Sequence, residues 1–286
     1  MDLTLKEWVE AAGDGKLSQA AIRLQAEESG LDREQTFQIM RGHLTHMRQA
    51  VKEGLDAKLR SVSGLTGGQA AYFLAYMKKG SALSGSLLSK AEVYALATAE
   101  CNACMGKIVA APTAGACGIL PGTLIAMMEE RGVNEEQAVE ALFTAAAVGE
   151  SIATIASISG AEGGCQAECG AAAAMAAAAL VELNGGGARQ CIEAAAFAIM
   201  DLLGLVCDPV GGLVEVPCVY RNVGSCGVAF AAADMVLAGI RCPIEPDEVI
   251  AAMKDVGDAL PSSLRETGEG GCASCPSVCA RLKHRA

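Results

Sequence analysis

From Gly170 to Leu180 the chain reads Gly-Ala-Ala-Ala-Ala-Met-Ala-Ala-Ala-Ala-Leu, and this run restricts the fold more than any other feature. Alanine is the strongest helix former and carries almost no side chain, so the run predicts a helix whose neighbours can approach closely. The surrounding chain agrees: residues 91–240 hold 16 acidic residues but only four basic ones, Lys107, Arg131, Arg189 and Arg221. These 20 charges in 150 residues, against 35 in the other 136, mark that stretch as the core. Hydrophobic residues make up 52% of the chain and aromatic ones only 3%, so the core must be built from Ala, Leu, Ile, Val and Met. Long β-branched runs are missing. The pattern predicts an all-α fold, a single helical domain of Ala/Gly-rich packed helices with any site in its Gly-rich loops.

Residues 1–60 are charged and amphipathic and predict an N-terminal helical layer. Within it, helices are expected over 17–29 and 33–52, the second opened by the capping box Asp32-Arg33-Glu34-Gln35. Residues 61–286 form the core and a Cys-rich C-terminal tail, continuous with the first layer. Ser61–Gly68 reads as a flexible loop and 69–79 as a short helix. A second capping box, Ser89-Lys90-Ala91-Glu92, is expected to open a helix running to about Ala110, with Pro112 ending it. Further helices are expected over 120–131, 135–159, 165–183, 188–204 and 222–239; Pro246 starts a last one, and the tail from Pro261 reads as irregular.

The net charge of −11, without a Lys/Arg cluster before the last few residues, excludes a nucleic-acid groove, because neutralising phosphates needs a basic footprint. The uncharged run Ile108–Met128 is long enough for a membrane helix, but Pro112, Gly115, Gly118, Pro121 and Gly122 interrupt it. It reads as a buried loop between helices, with no membrane as partner. The first residues lack the basic-then-apolar pattern of a secretory leader, so a cytoplasmic protein is expected. Histidine occurs only at His43, His46 and His284. A Ser-His-Asp or Cys-His nucleophile is thereby excluded from the central region, and His-dependent zinc sites become hard to build.

Thirteen cysteines in a reducing compartment point to buried small hydrophobes plus a metal or cluster site, not to disulfides. Cys101-x-x-Cys104 falls within an Ala-rich helix and reads first as two buried thiols, whereas Cys272-x-x-Cys275-x-x-x-Cys279 lies in a Gly-rich tail able to fold around an ion. Cys165 follows Gly163-Gly164, Cys207 precedes Asp208-Pro209 and Cys218 follows Pro217. All three fall at helix ends or loops, where helix N-terminal N–H groups can stabilise a thiolate. Cys117, Cys169, Cys191, Cys226 and Cys242 read as core hydrophobes. Three Gly-bearing loops could cradle an anion on successive N–H groups: Ser61-Val62-Ser63-Gly64, Pro112-Thr113-Ala114-Gly115, and Asp208-Pro209-Val210-Gly211-Gly212. None has the Gly-Lys-Ser/Thr of a phosphate loop. Lys90 and Lys107 lack the phosphate cup a pyridoxal phosphate lysine needs and read as surface residues.

Three segments carry a resemblance: Asn102-Ala103-x-Met105-Gly106-x-Ile108-Val109-Ala110-Ala111-Pro112-Thr113-Ala114-Gly115-x-x-Gly118-Ile119-Leu120-Pro121-Gly122, Glu162-Gly163-Gly164-Cys165-Gln166-Ala167-Glu168, and Gly204-Leu205-Val206-Cys207-Asp208-Pro209-Val210-x-Gly212. Together they resemble the α chain of bacterial iron–sulfur L-serine dehydratases, over most of the chain from Ser61 to about Gly271. The resemblance implies conversion of L-serine to pyruvate and ammonia by a [4Fe-4S] cluster without pyridoxal phosphate. It carries the three cluster ligands onto Cys165, Cys207 and Cys218, and it makes Cys279 the candidate for the tail cysteine that caps the fourth iron at rest. The family's tail is apolar where this chain has Cys272 and Cys275, and this chain runs on past Cys279.

Three thiolates leave one iron of a cubane open as a Lewis acid for substrate carboxylate and hydroxyl. The loops Ser61–Gly64 and Thr113–Gly115 are the candidate carboxylate donors, with Ser61, Ser63, Gly64, Thr113, Ala114 and Gly115 as substrate-binding residues. Relatives carry a Ser-Ser-His-Thr motif in a further domain or a separate β chain, and this sequence lacks it. The resemblance therefore implies a heterodimer in which the partner β chain brings the histidine base; failing that, Glu100, Glu162 or Glu168 are the bases this chain could offer. Two other functions fit parts of the sequence. One is L-cysteine desulfidation in the same superfamily; the other is a non-catalytic Cys-rich metal or thiol protein.

Overall fold

The computed structural model describes residues 2–80 and 82–283, and every regular element in them is helical. In chain order these are α1 (Leu5–Ala12), α2 (Leu17–Ser29), α3 (Arg33–Gly54), α4 (Gln69–Met77), α5 (Gly85–Ala103), α6 (Ile119–Arg131), α7 (Glu135–Ile155), α8 (Gly160–Gly163), α9 (Ala171–Leu183), α10 (Ala188–Leu202), α11 (Cys218–Leu237), α12 (Pro246–Ala259) and α13 (Pro276–Lys283). The all-α expectation holds. His284 lies outside the described residues.

The alanine run forms α9, and every residue from Ala171 to Glu182 is buried. Helices α6, α7, α10 and α11 surround it. A helix enclosed on all sides needs an apolar surface all round, and alanine supplies one thin enough for four close neighbours. Glu182, the charged residue on this helix, is satisfied by the Ser18 N–H at 3.1 Å and the Thr144 hydroxyl at 2.5 Å. A second hub, α5, packs against α3, α4, α6 and α11. The N-terminal helices add Leu5, Trp8, Leu17, Ile22, Leu44 and Met47 to the same hydrophobic core. Helix α7 is long and apolar enough to cross a membrane by length and composition, but most of it is buried inside the bundle.

Close packing rests on glycine at two crossings of α5. A Cβ on Gly54 would stand 1.8 Å from the Ala97 carbonyl oxygen, and one on Gly118 would stand 2.2 Å from that of Ala95. Both obstacles are backbone, which has no rotamer to yield. Gly54→Ala is therefore expected to destabilise the protein by about 3 kcal/mol. Gly42→Ala in the same helix, where an added Cβ meets nothing within 4 Å, should instead stabilise it by about 0.5–1 kcal/mol. Thermal unfolding of the two variants compares them directly.

Several helix limits differ from expectation. Helix α1 is additional, and its signal was present: Thr4 and Glu7 form a reciprocal capping box. Ser89 does not open α5; the helix begins at Gly85, and the Ser89 hydroxyl donates to the Gly85 carbonyl inside it. Nor does α5 reach Ala110. Met105 takes a left-handed φ of 64°, and the Gly106 N–H returns to the Cys101 carbonyl at 2.8 Å, closing the helix end. Glycine normally marks that position and here stands one residue later, so the stop was not legible. The expected helix over 165–183 is divided: Gly164 (φ 76°) breaks the chain after α8, and a π-turn over Gln166–Gly170 leads into α9. Helix α11 starts at Cys218 rather than 222 because Pro217 stands at its N-cap. The tail is more regular than expected, with α13 and short turns at Ser262–Leu264 and Gly271–Ser274.

Candidate functional site

Cys165, Cys207 and Cys218 come from three different places in the fold and are all buried, at 3%, 4% and 7% exposure. Cys165 precedes the π-turn leading into α9, Cys207 sits on an extended segment after α10, and Cys218 is the first residue of α11. They lie within electrostatic reach of one another: burial raises the Cys207 thiol well above its ordinary value, and charge on Glu168, Cys165 and Cys218 adds to it. Burial likewise pushes Cys218 up to about 12. Cys165 shifts the other way, lowered by its contact with Cys169 (Sγ to Sγ 3.4 Å) and by the Arg221 guanidinium. Cys165 and Cys169 stand four residues apart, the spacing that brings side chains together on one helical face.

Among the described residues no three His, Cys, Asp or Glu side chains enclose a point suited to a single metal ion. A cubane places each thiolate on a different iron, so its ligands stand further apart than those of one ion. The residues present fit such a group on two grounds. The donor set is three soft thiols with His43 and His46 exposed on the distant α3. In addition, Gly160 lets the backbone come close to the donor set: a Cβ there would lie 2.9 Å from the Cys207 sulfur and 2.7 Å from a Glu168 oxygen.

Three residues not singled out as site residues by the sequence, Asp208, Arg221 and Asn222, brace the thiols. Asp208 pairs with Arg221 at 2.8 Å, and Arg221 also donates to the Val206 carbonyl at 2.7 Å. The second Asp208 oxygen accepts the Cys272 N–H at 2.6 Å, which fastens the tail beside the thiols. Cys207 itself holds the tail through its backbone, accepting the Glu266 N–H at 2.7 Å and donating to the Leu264 carbonyl at 2.9 Å. Asn222, fully buried on α11, accepts the Gly118 N–H at 2.8 Å and donates to the Gly115 carbonyl at 2.7 Å. It thereby fixes the Thr113–Gly115 loop to the helix that begins with Cys218.

The two loops expected to donate to a carboxylate, Ser61–Gly64 and Thr113–Gly115, differ. In the first, every N–H from Ser61 to Thr66 already has an acceptor: Thr66, Ala103 and Ser61 carbonyls, the Ser61 and Ser63 hydroxyls, and the buried Glu215 carboxylate, which takes both the Ser63 N–H (2.9 Å) and its hydroxyl. The segment expected to be a flexible loop is thus tied down, with Ser61 and Ser63 buried and Gly64 half-buried. In the second, the N–H groups of Thr113, Ala114 and Gly115 have no acceptor among the described residues. The Thr113 hydroxyl donates to Glu168 at 2.6 Å, and a Glu168 oxygen faces the Cys207 sulfur at 3.8 Å. Burial, opposed by the Thr113 bond, holds the Glu168 carboxyl above its usual range.

The remaining candidates fall elsewhere. Cys101 is buried against Glu53, with burial raising its thiol to about 11, and Cys104 caps the end of α5. Cys272 and Cys275 are exposed, and the Cys279 sulfur meets the Ala273 carbonyl at 3.4 Å. Lys90 pairs with Glu129 and Glu130, and Lys107 with His46 at 2.7 Å. Of the three acidic candidates, Glu162 is exposed and Glu100 is fully buried on the backbone N–H groups of Gly67, Gln69 and Ala70. Glu168 alone adjoins the thiols.

Residues 12–273 match the family model described as serine dehydratase alpha chain. The chain is 48% identical over 275 residues to a probable L-serine dehydratase alpha chain of Bacillus subtilis, covering 96% of this chain and 91% of that one. It is 48% identical over 198 residues to the L-serine dehydratase alpha chain of Peptoniphilus asaccharolyticus, covering 69% and 68%. An L-serine dehydratase of Escherichia coli is 44% identical over 183 residues, which cover 63% of this chain but 40% of that protein.

Proposed function

This chain belongs to the serine dehydratase alpha-chain family, and on that premise we propose that it is the α half of a cytoplasmic L-serine ammonia-lyase holding a [4Fe-4S] cluster on Cys165, Cys207 and Cys218. The observation that carries the proposal is the approach of three buried thiols from separate elements, with Cys207 close against Gly160, beside three backbone N–H groups without an acceptor among the described residues. When bound, such a cluster supplies a Lewis-acidic iron without a protein ligand, which eases departure of the substrate hydroxyl.

This chain's own residues bind and orient. The N–H groups of Thr113, Ala114 and Gly115 donate to the serine carboxylate, and Asn222 keeps their loop in place through Gly115 and Gly118. Arg221, set between Asp208 and Cys165, offsets part of the negative charge that the thiolates bring. The Ser61–Gly64 loop forms a second wall, with Ser61 and Ser63 held rigid by Thr66 and Glu215. Cys279 is the proposed resting-state cap, carried by the segment that Asp208 fastens at Cys272. Removal of the α-proton falls to a histidine of the partner β chain. The 2-aminoacrylate formed tautomerises to an imine and hydrolyses to pyruvate and ammonia.

The test is oxygen-free preparation of the chain with and without its β partner. The pair is expected to hold about four iron and four sulfide per α chain and to release pyruvate from L-serine. The α chain alone should hold the iron yet react at least about a hundredfold more slowly, the contribution usual for a general base. Full activity of the α chain alone would refute the partner histidine. A colourless protein binding only zinc would refute the cluster, and faster pyruvate release from L-cysteine than from L-serine would reassign the substrate.

A further inference from the structure

We propose that Glu168 is the receptor for the substrate's ammonium group, so that Glu168 and the Thr113–Gly115 loop together recognise a zwitterionic α-amino acid. The inference rests on the serine lyase function proposed above and adds the residue that selects amino acids over plain hydroxy acids. It starts from an imbalance. Glu168 is a half-buried carboxylate with the Thr113 hydroxyl at 2.6 Å and the Cys207 sulfur at 3.8 Å as its partners, and no ion pair to it exists among the described residues. Its acidic neighbour Glu266 adds to the negative charge. Arg221, the nearby cation, is engaged by Asp208 at 2.8 Å. A carboxylate that has lost part of its water and has no cation beside it is left poorly compensated until a ligand brings one.

Position makes the match specific. An added Cβ on Gly115 would stand 2.9 Å from a Glu168 oxygen, so the carboxylate lies directly against the loop whose three N–H groups are free. Anion donors and a carboxylate acceptor are thus set side by side, complementary to the carboxylate and ammonium that an α-amino acid carries on one carbon. Neither half suffices alone: the N–H groups would donate to any carboxylate, and Glu168 repels one that lacks a neighbouring positive charge. Discrimination of this kind comes from the site's buried charge being left unpaired by the wrong ligand.

The test uses the assembled α/β enzyme with its cluster and compares KM for L-serine with the inhibition constant of 3-hydroxypropanoate, which keeps the carboxylate and the β-hydroxyl but lacks the ammonium. Glu168→Gln should raise KM for L-serine by about tenfold to a hundredfold, the loss usual for a charge-assisted hydrogen bond. The inhibition constant of 3-hydroxypropanoate should stay the same or fall, because the repelling charge has gone. Iron and sulfide content should match the unmodified enzyme. If both constants rise by the same factor, or neither moves, the proposal is overturned. Should Glu168→Gln not hold its iron, Glu168→Asp decides: a raised KM with the inhibition constant unchanged supports the proposal, and joint or absent shifts overturn it. An unmodified pair that releases no pyruvate from L-serine refutes the lyase function itself, a result distinct from any of these.

Discussion

Cys207→Ala is expected to give a folded chain that no longer retains a full cluster and loses more than about a hundredfold in serine turnover, a loss larger than that of disturbing a metal's outer partners. The same outcome is expected for Cys165→Ala and Cys218→Ala. Folding should survive because each thiol is at an element's edge: Cys207 keeps its backbone bonds to Leu264 and Glu266 whatever its side chain, and Cys218 is the first residue of its helix. Cys226→Ala is the informative control. Cys226 is equally buried but packs within the α5–α6–α11 contact, its sulfur near the Thr123 hydroxyl and the Ala91 and Ile119 carbonyls. That variant should keep its iron and lose only about 1 kcal/mol of stability, as expected for a small cavity. Iron and sulfide analysis, visible absorbance and a thermal melt on the four variants separate the outcomes. Equal iron in Cys226→Ala and Cys207→Ala would show that the three edge cysteines have no special part.

The distinction between those cysteines was partly readable in the sequence. Flanking Gly163-Gly164, Asp208-Pro209 and Pro217 placed Cys165, Cys207 and Cys218 at element ends, while Cys117, Cys169, Cys191, Cys226 and Cys242 read as core hydrophobes and are all buried. Local signals also gave α2, the start of α3 and the start of α12, where capping residues or proline state the boundary in one turn. Long-range partners were not readable. Nothing near Glu168 in sequence announces Thr113, 55 positions away, and nothing near Asp208 announces the Cys272 N–H. Nor could the sequence say which anion loop keeps free donors. Ser61–Gly64 and Thr113–Gly115 look alike as strings of small residues, and they part company because Glu215 and Ala103 reach the first and no acceptor reaches the second.

Glu100 shows the same limit, and it yields the largest expected loss of stability. Read alone, a carboxylate in an uncharged region is a candidate base. In the fold it is fully buried on α5 and accepts the Gly67 and Gln69 N–H groups on one oxygen, at 2.9 and 3.1 Å, and the Ala70 N–H on the other at 3.0 Å. Helix α4 begins at Gln69 behind Gly68, which has no side chain to cap it, so Glu100 provides the missing cap from another helix and gains from the positive end of the dipole. Glu100→Ala leaves three donors without their acceptor and should cost about 4 kcal/mol or more, since each orphaned buried group costs roughly 1–3 kcal/mol. Glu100→Gln should fall between, because its amide oxygen can keep two of the N–H bonds while its NH2 faces the third. Amide exchange at Gly67, Gln69 and Ala70 should quicken in the order wild type, Gln, Ala. Serine turnover should fall in the same order, through loosening of the Ser61–Thr66 loop that leads into α4 and that is proposed above as a wall of the site. A melt of Glu100→Ala within a degree of wild type would mean that water replaces the carboxylate freely. A Glu100→Gln variant as stable and as ordered as wild type, yet inactive, would instead return Glu100 to the reaction as an acid or base.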